Sequence, residues 1–250
     1  MARLVLFIAP WECEVVFAGT VGALDGPARH RPELAFKDME FARFVDPSRW
    51  MDWTLDTEVA AIELLRQRVG TNELDLVGYS GGGAVGLAYA VAHPEVLASL
   101  TLIESPWIGN DVWSREEAVF REAYDGLAAE PGDGFWEAVT GILNGPRTPV
   151  PPRPRMEAED LKNAFLGVWR GYQAAPLDRS RLGQIGSPVY LPVGEGSAPR
   201  MRAQAECLTS CFPNALVETY EGASHFDLPL VGAKRLAEGL NRLWGEPSER

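Results

Sequence analysis

The stretch that most constrains this chain is Leu74-Asp75-Leu76-Val77-Gly78-Tyr79-Ser80-Gly81-Gly82-Gly83. Residues of strand character run into a Gly-x-Ser-x-Gly turn, and an apolar helical pattern follows over residues 84–92. A strand that passes at once into a helix forces strained backbone angles at the turn and brings the helix close to the strand. Glycines on both sides of Ser80 relieve that conflict. The same arrangement carries chemistry. A serine hydroxyl is a weak nucleophile, so it must stand on a fixed, tight turn where a base can reach it. The helix that follows aims its free N–H groups and the positive end of its dipole at an oxygen that becomes negative.

The rest of the chain alternates in the same manner. Residues 3–9 (Arg-Leu-Val-Leu-Phe-Ile-Ala) form a continuous apolar run, the pattern of a buried parallel strand, which Pro10 ends. A helix is expected over 12–24, stopped by Asp25-Gly26-Pro27, then a short strand over 33–36 and an aromatic-rich loop over 41–53. Thr54 or Asp56 can cap a helix that runs to Val69, with Val59, Ile62, Leu65 and Val69 at helical spacing. After the Ser80 helix, His93-Pro94 makes a break and residues 100–103 form a strand ending at Glu104-Ser105-Pro106. Residues 107–184 differ, with helical stretches near 115–127, 135–143 and 158–172, a proline-rich linker over 146–154, and no strand pattern. Trp107, Trp113, Trp136 and Trp169 fall there, either lining a cavity or cementing the helices to one another. Alternation resumes with a strand over 189–193, a helix over 198–212, a strand over 215–220 and an amphipathic helix over 230–244. The expectation is an α/β fold: a mostly parallel six-stranded sheet with helices on both faces. Its core would comprise residues 1–106 and 185–250, with a helical lid, 107–184, inserted after the strand ending at Glu104.

Composition narrows the function. A chain of 250 residues fits one α/β domain with an insertion. A net charge of −12 with no basic cluster argues against nucleic acid. No stretch is long enough to span a bilayer and no signal-peptide pattern opens the chain. The cysteines (Cys13, Cys207, Cys211) are odd in number and scattered, which reads as reduced thiols in a cytoplasmic protein. Cys207 and Cys211 can share a helix face, but no His lies beside them to suggest zinc.

Gly78-Tyr79-Ser80-Gly81-Gly82 resembles the nucleophile elbow of the α/β-hydrolase superfamily, and the likeness spans most of the chain. It implies that Ser80 is the nucleophile. Of three histidines, His30 sits in an Arg/Pro-rich loop, and His93 lies at the far end of the helix that starts at Ser80, roughly 20 Å away. His225 follows the last strand, so it shares with Ser80 the edge where parallel strands end, and it fits the family's chain order of Ser, acid, His. The family usually holds its acid after the strand that follows the lid, where this chain has Gly194-Glu195-Gly196-Ser197. Some relatives, including certain haloalkane dehalogenases and lactonases, hold it one strand earlier, where Glu104 stands. Glu104 is favoured over Glu195, since a carboxylate at a buried strand end is costly unless paired, and an imidazole would pair it.

Two departures from the family are visible. Its leading β-hairpin is missing, since residue 3 already begins a central strand; this leaves the 33–36 strand as an edge that a second copy of the chain could cover, giving a homodimer. In place of the common His-Gly after the first central strand stands Ala9-Pro10-Trp11. Gly81 can supply one backbone N–H to an oxyanion; Pro10 has none, so Trp11 is the second candidate. A hole short of one donor would forgo about 2.7–4 kcal/mol of transition-state stabilisation. The resemblance implies a lidded serine esterase or lactonase that acts on a small neutral or hydrophobic substrate through an acyl-enzyme, with no cofactor and no metal. Three alternatives stay open: a hydrolase of carbon–carbon bonds beside a ketone, a cofactor-free cyclase or lyase, and a non-catalytic small-molecule receptor.

Overall fold

In the computed structural model, which describes residues 3–24, 33–40, 50 and 52–245, successive residues of the central strands face opposite sides of one sheet, and both sides are covered. The strands are β1 (Leu4–Ala9), β2 (Glu33–Asp38), β3 (Leu74–Tyr79), β4 (Leu97–Ile103), β5 (Val189–Gly194) and β6 (Ala215–Tyr220). They pair in the order β2-β1-β3-β4-β5-β6, all parallel. The helices are α1 (Cys13–Ala23), α2 (Leu55–Val69), α3 (Gly81–Ala92), α4 (Arg115–Gly126), α5 (Gly132–Leu143), α6 (Ala158–Ala174), α7 (Pro199–Cys211), α8 (Leu228–Val231) and α9 (Ala233–Trp244).

Leu4, Leu6, Ile8, Leu74 and Leu76 pack in one cluster with Ile62 of α2 and Val85 and Leu87 of α3. Val5, Phe7, Ala9, Val77 and Tyr79 pack in another with Phe17 of α1 and Leu236 and Leu240 of α9. Every residue of β1 and β3 is buried, as strands covered on both faces require. Helix α2 starts where Thr54 accepts a hydrogen bond from the Thr57 N–H at 3.2 Å and stops at Gly70, at φ 73°. The chain visits β2 on one side of β1 and then β3 on the other. The order therefore reverses between β1 and β3, the point at which open α/β sheets place their ligand crevice.

The segment between β4 and β5 contributes α4, α5 and α6 and, among the described residues, no strand to the sheet. It is tied to the core by a buried arginine of α7. Arg200 donates to Glu117 of α4 at 2.8 Å and to the Pro106 carbonyl at 2.9 Å, and its guanidinium lies 3.7 Å over the Phe120 ring.

The helix expected over 230–244 is two helices, α8 and α9, broken at Gly232. A Cβ there would lie 2.6 Å from the Tyr220 ring, so only glycine fits at the break, and helical periodicity carries no trace of it. Strand β2 extends to Asp38 and forms one edge of the sheet. His30, the stop at 25–27 and most of the 41–53 loop lie outside the described residues. No helix among the described residues is long and apolar enough to cross a membrane.

Candidate active site

Among the described residues, three other than glycine have positive φ: Glu12 at 48°, Ser80 at 51° and Glu104 at 47°. They stand in the turns that leave β1, β3 and β4, neighbours in the sheet. Backbone strain of this kind costs energy and persists where the surroundings enforce it. At Ser80 the enforcement is visible. Its N–H donates to the Ile103 carbonyl at 2.9 Å and its carbonyl accepts from the Gly83 N–H at 2.8 Å. A Cβ at Gly78 would lie 2.3 Å from the Gly82 oxygen, and one at Gly82 would lie 2.3 Å from the Ile8 oxygen. Only glycine allows α3 to start this close to β1 and β3.

The structure brings Ser80, His225 and Glu104 together. Ser80 Oγ lies 3.0 Å from His225 Nε2, and His225 Nδ1 lies 3.1 Å from Glu104 Oε2. The other carboxylate oxygen of Glu104 accepts from the Gly194 N–H at 2.8 Å. Both Glu104 and His225 are buried, while Ser80 is half-buried. A carboxylate only accepts, so Nδ1 carries the imidazole proton and Nε2 presents its lone pair to Ser80. The histidine loop is fixed from below. The Tyr79 hydroxyl donates to the His225 carbonyl at 2.6 Å, and Gly196 N–H donates to the Ala223 carbonyl at 2.8 Å. Burial, with Glu104 and Asp227 adding to it, pushes the Tyr79 phenol well above its ordinary pKa, which keeps it a donor.

Glu195 is exposed and turned away, accepting from the Gly222 N–H at 3.2 Å. Ser197 is buried beside Gly194. His93 is at the far end of α3, with Nδ1 3.8 Å from Glu95. Trp11 leaves β1 half-buried, its ring edge-on to Phe165 at 5.8 Å. From there an aromatic chain runs over the site: Phe165 to Trp136 at 6.2 Å, Trp136 to Phe226 at 5.1 Å, and Phe226 to the His225 ring at 5.0 Å. The tryptophans of 107–184 therefore divide. Trp136 belongs to this aromatic chain, whereas Trp169 cements helices, packed on Tyr124 at 4.5 Å and donating to Asp125 at 2.7 Å.

Several residues around Ser80 carry no signal in the sequence. Gly81 is covered by Met39 and Tyr172: a Cβ at Gly81 would lie 2.8 Å from Met39 Sδ and 3.1 Å from Tyr172 Oη. Met39 follows an edge strand and Tyr172 lies on α6, so neither carries a local signal. Tyr79 is a letter of the motif, but its partner, the His225 carbonyl, is distant in sequence. Cys207 and Cys211 are half-buried on α7, and burial raises the Cys207 thiol. Among the described residues no three His, Cys, Asp or Glu side chains gather as a metal site.

This arrangement is that of the α/β-hydrolase fold, and the comparisons with known proteins agree with it. The family model described as "alpha/beta hydrolase fold" matches residues 29–131. Lipase LipV of Mycobacterium tuberculosis is 32% identical over 104 residues, 42% of this chain and 38% of that protein. A proline iminopeptidase of Lactobacillus delbrueckii subsp. bulgaricus is 24% identical over 207 residues, covering 73% of this chain and 69% of that one. The crystal structure of bromoperoxidase from Bacillus anthracis superposes with a TM-score of 0.70 at 16% identity, over 98% of this chain and 93% of that one. At that identity the last likeness is one of fold. The chain has the α/β-hydrolase fold, and residues 29–131 are similar in sequence to that family.

Proposed function

We propose that this chain is a serine hydrolase that cleaves neutral or hydrophobic carboxylic esters or lactones. The observation that carries the reading is the unbroken contact from Ser80 Oγ to His225 Nε2 at 3.0 Å and from Nδ1 to Glu104 at 3.1 Å. Ser80 Oγ attacks the acyl carbon while His225 Nε2 takes its proton. Glu104 holds the tautomer and stabilises the imidazolium that forms. His225 returns the proton to the leaving alcohol, then takes one from the water that attacks the acyl-enzyme and passes it to Ser80 Oγ as that bond breaks and the acid leaves. The Gly81 N–H, at the positive end of α3, and the Trp11 N–H are the proposed backbone donors to the oxyanion.

The preference for apolar substrates rests on the aromatic chain from Trp11 to Phe226. Residues 107–184 act as the lid, and residues 1–106 and 185–250 as the core that carries the reacting groups. Treatment with a fluorophosphonate, followed by peptide mass spectrometry, tests the reading. A single adduct on Ser80 is expected in the wild-type protein and none in Ser80→Ala. Tight binding of an apolar ligand with no labelling at Ser80 would replace the hydrolase with a receptor.

A further inference from the structure

We propose that the Tyr172 hydroxyl donates a hydrogen bond to the reacting carbonyl oxygen of the substrate, beside the Gly81 N–H. This rests on the hydrolase reading of Ser80. Tyr172 lies on α6 and is 2% exposed, yet its hydroxyl has no hydrogen-bond partner among the described residues. Buried polar groups are almost always satisfied, and one left open is costly enough to need a reason. Its position supplies one. Tyr172 Oη lies 3.1 Å from where a Cβ of Gly81 would stand, on the residue that directly follows Ser80. A side chain at position 81 would close that approach.

The phenol is also held in place. Its ring stacks on Trp107 at 5.8 Å and 17°, and meets Trp53 edge-on at 5.5 Å and Trp169 at 6.5 Å. Trp53 is in turn anchored by its Nε1–H to Glu58 at 2.7 Å. A Cβ at Gly171 would lie 2.5 Å from the Trp53 ring, so the α6 backbone rests directly on that indole. A donor this restrained needs little reorganisation when charge develops, the condition under which such donors work best. Burial, with Tyr124 and Glu58 adding to it, holds the phenol well above its ordinary pKa, so it offers an O–H and never a phenolate.

In the reaction, the bond from Ser80 Oγ to the acyl carbon forms as the carbonyl π pair moves onto oxygen. The Oγ proton goes to His225 Nε2, and the new oxyanion accepts from the Gly81 and Trp11 N–H groups and from Tyr172 O–H, whose own proton stays on the phenol. The helical segment thereby adds a side-chain donor to the two backbone N–H groups.

Tyr172→Phe removes the hydroxyl and keeps the ring. Turnover of a p-nitrophenyl ester should fall by about 10²-fold, in kcat more than in KM. The rate of fluorophosphonate labelling at Ser80 should fall with it. The thermal midpoint should hold or rise, because an unpartnered buried hydroxyl is gone. In a crystal structure of the phosphonylated protein, the phosphoryl oxygen should sit within hydrogen-bond distance of Tyr172 Oη. Wild-type kcat and labelling rate in Tyr172→Phe, with labelling lost in Ser80→Ala, would overturn this inference and leave the hydrolase reading standing. A wild-type protein that neither labels nor turns over esters would remove both.

Discussion

Two buried carboxylates stand at opposite ends of the sheet and keep opposite company. Asp75, near the start of β3, forms an ion pair with Arg3 and accepts from Ser99 Oγ at 2.5 Å. Glu104, just past the end of β4, faces His225 at 3.1 Å and the Gly194 N–H at 2.8 Å. The other buried carboxylates follow Asp75: Glu58 meets Lys37 at 2.5 Å, and Glu117 meets Arg200 at 2.8 Å and Arg121 at 2.5 Å. A buried carboxylate paired with a permanent cation is neutralised for good, which suits a structural role. One paired with an imidazole is left beside a group whose charge can change during a reaction. The molecule thus places its one imidazole-facing buried carboxylate, among the described residues, at the sheet end where Ser80 also stands.

The largest effect that separates the two ends is on activity. Glu104→Gln should lower kcat/KM for an ester by about 10⁴-fold, or about 5 kcal/mol of barrier, because an amide can hold the wrong tautomer of His225. Folding should survive, as the amide oxygen can still accept from Gly194. Glu195→Ala, at an exposed residue, should leave the rate alone. The reverse pattern, with Glu195 essential and Glu104 dispensable, would move the acid from β4 to β5 and dissolve the contrast. Asp75→Asn should do the opposite of Glu104→Gln. Leaving Arg3 without its carboxylate should lower stability by about 3 kcal/mol, read as a shift in the urea midpoint, while kcat/KM of the folded protein stays put. A lost rate without lost stability there would show the lower end of the sheet to be coupled to Ser80.

How much of this was legible in the sequence follows from which signals are local. The elbow was, because a strand, a glycine-flanked serine and an apolar helix are adjacent in the chain. His225 was within reach, because parallel strands all end on one edge and few histidines compete. The choice between Glu104 and Glu195 was harder, since it depends on the direction each side chain takes after its strand. The positive φ of Glu104 and the exposure of Glu195 appear only once the backbone is built. Tyr172, Met39 and Trp53 were out of reach. Helical spacing marks a residue as buried but does not say that it lies over Gly81, and the contact joins segments far apart in sequence. The break at Gly232 was hidden for the same reason, since the ring packed against that glycine belongs to β6.

A surface carboxylate sharpens the comparison from the weak side. Glu63 on α2 is bound by Arg66 through Nε at 2.9 Å and Nη2 at 2.6 Å, by Gln67 at 2.8 Å and by the Tyr89 hydroxyl at 3.0 Å. The Arg66 hydrogen bonds are the main cause that holds its carboxyl down from 4.5 to about 2. A depressed folded-state pKa stabilises the fold fully above the unfolded value, and the gain drains away as pH falls from 4.5 to about 2. Water screens this pair, so its worth is about 0.5 kcal/mol, well below that of the buried Asp75 pair. Glu63→Gln should therefore be less stable than the wild type by a small, constant amount above about pH 5. The two urea midpoints should converge as the solution is acidified. Added salt should narrow the gap at neutral pH, whereas the Asp75→Asn deficit should barely respond, because the Asp75 carboxylate is sealed from solvent. A Glu63 deficit as large and as salt-resistant as that of Asp75 would mean that hydrogen-bond number, and not burial, sets the strength of carboxylate pairs in this fold.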